Sequence, residues 1–102
     1  MPTPEARLEA LGLELPAPMA AVANYVPYVR TGPYLYVSGQ VSVANGKPIL
    51  GRLGEDLDLA AGQRAARACA VNLIAQCKSA LGDLSRVRRV VKLGGFVNAA
   101  PD

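Results

Sequence analysis

One long helical stretch, from Leu59 to Leu81, limits what this chain can fold into more than any other feature of its sequence. Asp58 precedes it as an N-cap, Gly82 follows it as a helix-ending residue, and Lys78 would lie near the negative end of the helix dipole. Such a helix needs a second layer to cover its apolar face. Apolar residues at three- and four-residue spacing predict that face: Ala66, Cys69, Ala70, Leu73, Cys77 and Leu81. The polar residues of the helix fall mainly on the other side: Gln63, Arg64, Arg67, Gln76 and Lys78.

Strand-like runs precede the helix. The first covers about Tyr25 to Arg30, where Pro27 indicates an edge position or an irregular start, and the second runs from Tyr34 to Val41. A turn at residues 31–33 joins them. Asn45-Gly46 predicts a hairpin, after which a short third strand would occupy about Pro48 to Leu50. We therefore expect a three-stranded meander before the helix.

A fourth strand is predicted after the helix, from Arg86 to Val97, and Val90-Val91 indicates burial on both of its faces. The order is β-β-β-α-β, which is an α+β fold with one helix across one face of a mixed sheet. Apolar residues on the other sheet face favour an oligomer, missing chain, or both. The residues from Asn98 to Asp102 are typical of a turn that leads onward, so we expect the chain to be truncated at its C-terminus.

A short helix is predicted at the N-terminus. Thr3 would cap it, Pro4 would occupy its first position and Gly12 would close it. Leu8 and Leu11 would face the body of the protein. A Pro-rich connector follows, so we divide the chain into an N-terminal helix with connector, residues 1–18, and a domain formed by residues 19–102.

Composition limits the function classes open to the chain. Its 102 residues, of which 51% are hydrophobic and 19% charged, fit one globular domain. The net charge is +3, and none of the five aromatic residues lies in the local basic group, so we do not expect nucleic acid as a partner. The N-terminus has no signal-peptide pattern and no apolar run reaches the length of a membrane span, which predicts a cytoplasmic protein without a membrane partner. The basic group consists of Arg86, Arg88, Arg89 and Lys92.

Histidine and cysteine usage removes several kinds of catalytic site. The sequence contains no histidine, so Ser-His or Cys-His nucleophile pairs and the common His-based metal sites are excluded within it. Cys69 and Cys77 fall in the same predicted helix, about 12 Å apart, which is too far for a disulfide between them. We interpret both as small core side chains.

Three ordered stretches together make the chain resemble the RidA family, also called the YjgF family. The first runs from Tyr25 to Gly32 and continues through residues 34–37 into Ser38-Gly39-Gln40. The second is the Ala-rich helix, with Ala65, Ala66, Asn72, Leu73 and Leu81 before Gly82-Asp83-Leu84, and the third is Val87, Val90-Val91-Lys92 and Phe96. The resemblance covers about Ala23 to Phe96, and the N-terminal helix is similar to that of a YjgF-like subgroup.

The resemblance implies a chorismate-mutase-like fold that assembles as a homotrimer around a central barrel, with small-molecule pockets in the clefts between subunits. The family's second helix and final two strands have no counterpart here. The family's substrate-binding arginine and water-positioning glutamate lie in that region, so they have no counterpart either. The catalytic residues are therefore unassigned, and no arginine of this chain takes that role. Tyr25 matches the family's pocket tyrosine, and Ser38 and Gly39 match a strand end that lines the cleft. Pro101 stands where the family often has asparagine.

The function implied is hydrolysis of reactive enamines and imines, such as 2-aminoacrylate, to keto acids and ammonia, without a metal or organic cofactor. A non-catalytic, small-metabolite-binding trimer on the same fold is the alternative, and RNA cleavage or translation inhibition is a weaker one. Plainer interpretations of the same residues stay open. Tyr25 suits an ordinary edge strand, residues 38–40 suit a strand end with a bulge, Asp56 and Asp58 suit a loop and a helix cap, and the basic group suits a solvated strand end.

Overall fold

A computed structural model of the chain describes residues 2–20 and 24–101. Ala23, where the resemblance begins, and Asp102, where the predicted domain ends, lie outside the described residues. The two helices and two small antiparallel sheets make an α+β fold, as predicted. In chain order the elements are α1 (Pro4–Ala10), β1 (Tyr28–Thr31), β2 (Tyr34–Val37), β3 (Val43–Ala44), β4 (Lys47–Pro48), α2 (Leu59–Leu81) and a 3-10 helix (Leu84–Arg86).

Helix α2 has the limits and caps that its sequence predicts. The Asp58 carboxylate accepts a hydrogen bond from the Ala61 N–H at 2.8 Å, which satisfies one of the free donors of the first turn. Gly82 ends the helix at φ 78°, a left-handed conformation that glycine adopts without strain. The 23-residue helix packs against β2 and β3.

Helix α1 is also confirmed, although one of its predicted contacts is wrong. The Thr3 hydroxyl accepts from the Ala6 N–H at 3.0 Å, and Gly12 follows the helix at φ 73°. Leu8 is half-buried as expected, but Leu11 is 70% exposed. The helix has ended at Ala10, and the Leu11 amide turns back to the carbonyls of Arg7 and Leu8, which carries the Leu11 side chain off the packed face.

The predicted meander is divided into two separate hairpins. Strands β1 and β2 pair from Tyr28↔Val37 to Thr31↔Tyr34, while β3 and β4 pair around Asn45 and Gly46. Both of these turn residues have positive φ, 53° and 73°, as an Asn-Gly hairpin requires. The long second strand predicted to reach Val41 stops at Val37, because the chain leaves the ladder at residues 39–41.

The buried face of α2 differs from the predicted one. Ala66 and Ala70 are exposed, whereas Gln76, expected on the outer side, is only 1% exposed. Asn72 is buried as well, and its amide donates to the carbonyls of Val41 and Val43 at 2.9 and 3.1 Å. The helix turns its amides inward because the chain that leads into β3 presents these two carbonyls to it.

The predicted fourth strand is wrong for the described residues. After the 3-10 helix no strand forms before Val97, and Val90 and Val91, expected to be buried on both faces, are 71% and 73% exposed. Strand propensity is present in these residues, but no described strand lies alongside to pair with them. Pairing resumes only beyond this segment, where Leu53 exchanges backbone hydrogen bonds with Asn98 and Ala100.

An ion pair between the two helices fastens α1 to the body. One oxygen of Glu5 accepts from the Lys78 ammonium at 2.7 Å and from the Leu84 N–H at 2.9 Å. These two bonds, together with the N–H of Glu5 itself, lower the pKa of the Glu5 carboxyl from its usual 4.5 to about 2. Lys78 lies in the last turn, as predicted, and its charge is used to hold the N-terminal helix.

Replacement of Asn72 by alanine tests the role of the inward amide. Asn72→Ala removes the donor that the helix supplies to both carbonyls, although the Val41 carbonyl keeps its bond from the Val43 N–H, so we expect the free energy of unfolding to fall by about 1 to 2 kcal/mol. Urea denaturation followed by circular dichroism measures the loss. Gln63→Ala, on an exposed part of the same helix, is the matched control and should change stability by less than about 0.5 kcal/mol. Equal effects of the two substitutions would contradict the assignment.

The Glu5 contact predicts a pH-dependent part of the stability. Because the folded-state pKa is lowered, the carboxylate stabilises the fold above about pH 4.5, and this contribution is lost as pH falls toward about 2. Glu5→Gln should therefore be less stable than the parent chain at neutral pH, and the difference should shrink through that window. Urea midpoints at several pH values measure it, with Glu9→Gln, exposed on the same helix, as control. A difference that stays constant with pH would rule out the contact.

Candidate functional site

The bend that follows β2 contains two of the three predicted site residues, Ser38 and Gly39. It is bonded to the segment that carries the third, Tyr25. Both the backbone N–H and the hydroxyl of Ser38 donate to the Pro27 carbonyl, each at 2.9 Å. These two hydrogen bonds extend the β1–β2 pairing by one residue pair and join the segment just before β1 to the end of β2. Tyr25 lies two residues before Pro27, so the backbone alone keeps it near Ser38 and Gly39.

The side-chain amides of Gln40 and Gln76 hold the shape of this bend. The Gln40 amide donates to the Ser38 and Gly39 carbonyls at 3.1 and 3.3 Å, and its oxygen accepts from Gln76 at 3.5 Å. Gln76 also donates to the Met19 carbonyl at 2.8 Å, which draws the connector before β1 onto the same helix. Gln76 belongs to α2 and is the most deeply buried polar residue described. The helix therefore holds the bend in place through this side chain.

Tyr25 and Gly39 remain open to solvent at the bend. Tyr25 is 44% exposed, and a Cβ built on Gly39 would meet nothing within 4 Å. Two surface hollows, of about 560 and 320 Å³, lie elsewhere and include none of Tyr25, Ser38 and Gly39. We refer to these three residues as the wall.

The chemical groups at this wall are polar, and none of them is activated for catalysis. The Ser38 hydroxyl donates its proton to a carbonyl, and no histidine exists in the chain to act as its base, so Ser38 is a structural donor. Among the described residues, no group of three His, Cys, Asp or Glu side chains converges as a metal would need. The wall can contribute a phenol and backbone groups to a bound molecule, while charge must come from elsewhere.

The loop and helix-cap interpretations made from the sequence hold, but the two cysteines are not core side chains, since the described buried hydrophobic residues are Ala68, Ala75 and Leu84. Asp58 caps α2, and Asp56 accepts a bond from the Arg52 N–H, so both carboxylates are structural. Cys69 and Cys77 are free and half-buried, and burial raises the pKa of the Cys77 thiol. Pro101, which replaces the asparagine that the resemblance implied, is exposed. Neither described helix is long and apolar enough to cross a membrane.

Sequence reasoning placed Gln76 on the outer side of the helix and gave Asn72 no contact. Asn72 in fact bonds to Val41 and Val43, 31 and 29 residues away. The available signal was the four-residue spacing of the two amides, which places them on one face of a helix.

Comparisons with known proteins give the family of the chain. Residues 5–101 match the YjgF/chorismate mutase-like, putative endoribonuclease family. Protein TCP17 of Trypanosoma cruzi is 50% identical over 97 residues, which are 94% of this chain and 61% of that protein. Atu1372 of Agrobacterium tumefaciens, described as of unknown function, superposes with a TM-score of 0.86 at 52% identity, over 96% of this chain and 60% of its own.

A putative endoribonuclease from Shewanella oneidensis has the same fold, with a TM-score of 0.83 at 46% identity over 87% of this chain and 60% of its own. The chain thus spans about three fifths of the length of each of these relatives. Because the family match extends over almost all of the sequence and the fold agrees, this chain belongs to the YjgF/chorismate mutase-like family.

Proposed function

We propose that the protein carrying these residues hydrolyses reactive enamines and imines of the 2-aminoacrylate type to keto acids and ammonia in the cytoplasm. Membership of the YjgF family supports the reaction class. The observation that carries the proposal is the double hydrogen bond from Ser38 to Pro27, which holds the Tyr25 segment beside the open backbone of Gly39. A small substrate can approach that backbone closely because glycine leaves the space empty.

The reaction needs little from the protein beyond orientation. The enamine tautomerises to an imine, water adds to the imine carbon, and the carbinolamine expels ammonia to leave the keto group. In this proposal Tyr25 and the Ser38–Gly39 backbone hold the substrate and the attacking water in line. Binding of the substrate carboxylate by a guanidinium falls to the part of the family's length that this chain does not span.

The open wall also supports a trimer whose clefts complete the site. On β1 and β2, Val29, Tyr34 and Tyr36 are all half or more exposed, and the two tyrosine rings lie 6.5 Å apart. Such a patch is larger than single scattered apolar side chains and fits contact with another subunit. We expect light scattering on the full natural reading frame to give three times the protomer mass, and a stable soluble monomer would exclude the trimer.

A small-metabolite-binding module without turnover is the second candidate. The observation that favours it is the lack of an activated group at the wall, where the Ser38 hydroxyl donates its proton to the Pro27 carbonyl and no histidine exists in the chain to act as a base. Ribonuclease activity, which the name of the Shewanella relative states, receives less support. The basic group at residues 86–92 contains no aromatic residue, and the aromatic residue of the candidate wall, Tyr25, lies on a separate segment.

Gly39→Ala is the sharpest test at the wall. The added methyl group enters open space and Gly39 has no positive φ, so the fold and its thermal midpoint should be unchanged. The same methyl group would occupy the approach to the backbone, so we expect kcat/KM for 2-aminoacrylate to fall about tenfold or more.

The assay uses the full natural reading frame, with a PLP-dependent dehydratase that generates 2-aminoacrylate in place. Ser79→Ala, an exposed change of similar size on α2, is the control and should leave the rate unaltered. If Gly39→Ala does not reduce turnover, Gly39 does not line the substrate cleft. A folded protein that gives no acceleration, yet binds a keto acid, would favour the binding module.

A further inference from the structure

The N-terminal segment of the chain is attached to α2 at two points. Near its start, one oxygen of Glu5 accepts a hydrogen bond from the Lys78 ammonium at 2.7 Å. Near its end, the Met19 carbonyl accepts from the Gln76 amide at 2.8 Å. Side chains two positions apart on a helix point to nearly opposite sides, about 200° apart. Residues 4–19 therefore pass around the C-terminal part of α2, and we call this segment the strap.

The strap is stiff between its two attachments. Helix α1 is closed by a bond from the Leu13 N–H back to the Leu8 carbonyl at 2.9 Å. Pro16 and Pro18 follow, and each proline fixes its own φ and restricts the residue before it. A Pro-rich connector of this kind acts as a semi-rigid spacer. A displacement at one attachment is therefore transmitted to the other, because there is little slack chain to absorb it.

Gln76 links the strap to the wall. Its amide nitrogen carries two hydrogens and has two acceptors, the Met19 carbonyl and the side-chain oxygen of Gln40 at 3.5 Å. Gln40 in turn donates to the Ser38 and Gly39 carbonyls. Because Gln76 is only 1% exposed, water does not replace either acceptor, and an unpaired amide there costs free energy. Gln76 therefore follows Met19 when the strap moves, and the 3.5 Å contact, the longest of these bonds, is lost first.

The ion pair at the start of the strap can open while α2 stays folded. The Lys78 and Glu5 side chains are 41% and 31% exposed, so solvent reaches both partners. Partly exposed ion pairs contribute modestly to stability and depend on the charge of each partner. A change of charge at either residue therefore releases the N-terminal end of the strap as a local event.

We propose that the strap is a positioning device for the wall, in which the Glu5–Lys78 ion pair determines the shape of the bend at Ser38 and Gly39 through Gln76. The coupling concerns the geometry of the bend and does not depend on the proposed reaction. Its consequence for turnover rests on the proposed function, since a bend that loses its support holds a substrate less firmly. A change of charge at the surface thereby alters a wall that neither Glu5 nor Lys78 belongs to.

Hydrogen exchange on the full natural reading frame at neutral pH tests the coupling. The Ser38 N–H is bonded to the Pro27 carbonyl, so its exchange rate reports how firmly the bend is held. Interior amides of α2 report the stability of the whole fold. In Glu5→Gln we expect the ratio of the Ser38 rate to the α2 rates to rise about fivefold, the factor that loss of one ordinary hydrogen bond gives. Lys78→Gln should raise the ratio equally, because it removes the other half of the ion pair.

Two control variants separate the coupling from a general loss of stability. Asp58→Ala removes the cap at the other end of α2, so it should speed exchange throughout the fold and leave the Ser38 ratio unchanged. Glu9→Gln, exposed on α1, should alter neither the ratio nor the overall rates. A Ser38 ratio in Glu5→Gln that equals the ratio in Asp58→Ala would overturn the proposal.

A double-mutant cycle tests the role of Gln76. Gln76→Leu should itself raise the Ser38 ratio, and Glu5→Gln/Gln76→Leu should raise it no further, because the link is already cut. Gln40→Ala cuts the next link and should give the same pattern with Glu5→Gln, so the cycle does not depend on the folding of Gln76→Leu. Additive effects would overturn the passage of the coupling through Gln76.

Rate measurements distinguish the coupling from the proposed function. If the wall holds the substrate, Glu5→Gln should lower kcat/KM for 2-aminoacrylate about threefold or more, while Glu9→Gln leaves it unchanged. A raised Ser38 ratio with unchanged kcat/KM would support the coupling and count against the wall as the substrate-binding surface. An unchanged Ser38 ratio would overturn the coupling, whatever the rate.

Discussion

Two buried side-chain amides, on Asn72 and Gln76, are the contacts on which the rest of this structure depends. The segment before β1 and the chain that enters β3 both turn backbone carbonyls toward α2. The helix donates to them, through Asn72 to Val41 and Val43 and through Gln76 to Met19. An apolar face would offer these carbonyls no donor from the helix.

The candidate site follows from the same contacts. Gln76 supports Gln40, Gln40 closes the bend over the Ser38 and Gly39 carbonyls, and Ser38 fastens the segment after Tyr25 to β2. The helix thereby sets the position of a wall that it does not itself line. The wall offers a phenol and exposed backbone but no charge, so the proposed reaction requires that another part of the protein bind the substrate carboxylate.

The segment after α2 shows the opposite situation, in which strand-forming residues have no partner. Burial and pairing are properties of two surfaces, and residues 87–97 provide only one of them among the described residues. Their valines stay exposed because no described strand covers them. The N-terminal helix, by contrast, is held by the ion pair of Glu5 with Lys78.

Local chemistry determined the elements whose signals lie within a few residues. The caps at Thr3 and Asp58, the glycines that end both helices and the Asn45-Gly46 turn all follow from short-range sterics and hydrogen bonding, and the family pattern through Tyr25 and Ser38-Gly39-Gln40 was visible in the same way. Only the tertiary structure decided which face of α2 is buried, where the second strand ends, and whether residues 86–97 pair. These depend on where unsatisfied carbonyls of distant segments fall and on whether a partner strand is present, and neither is encoded in the periodicity of a single segment.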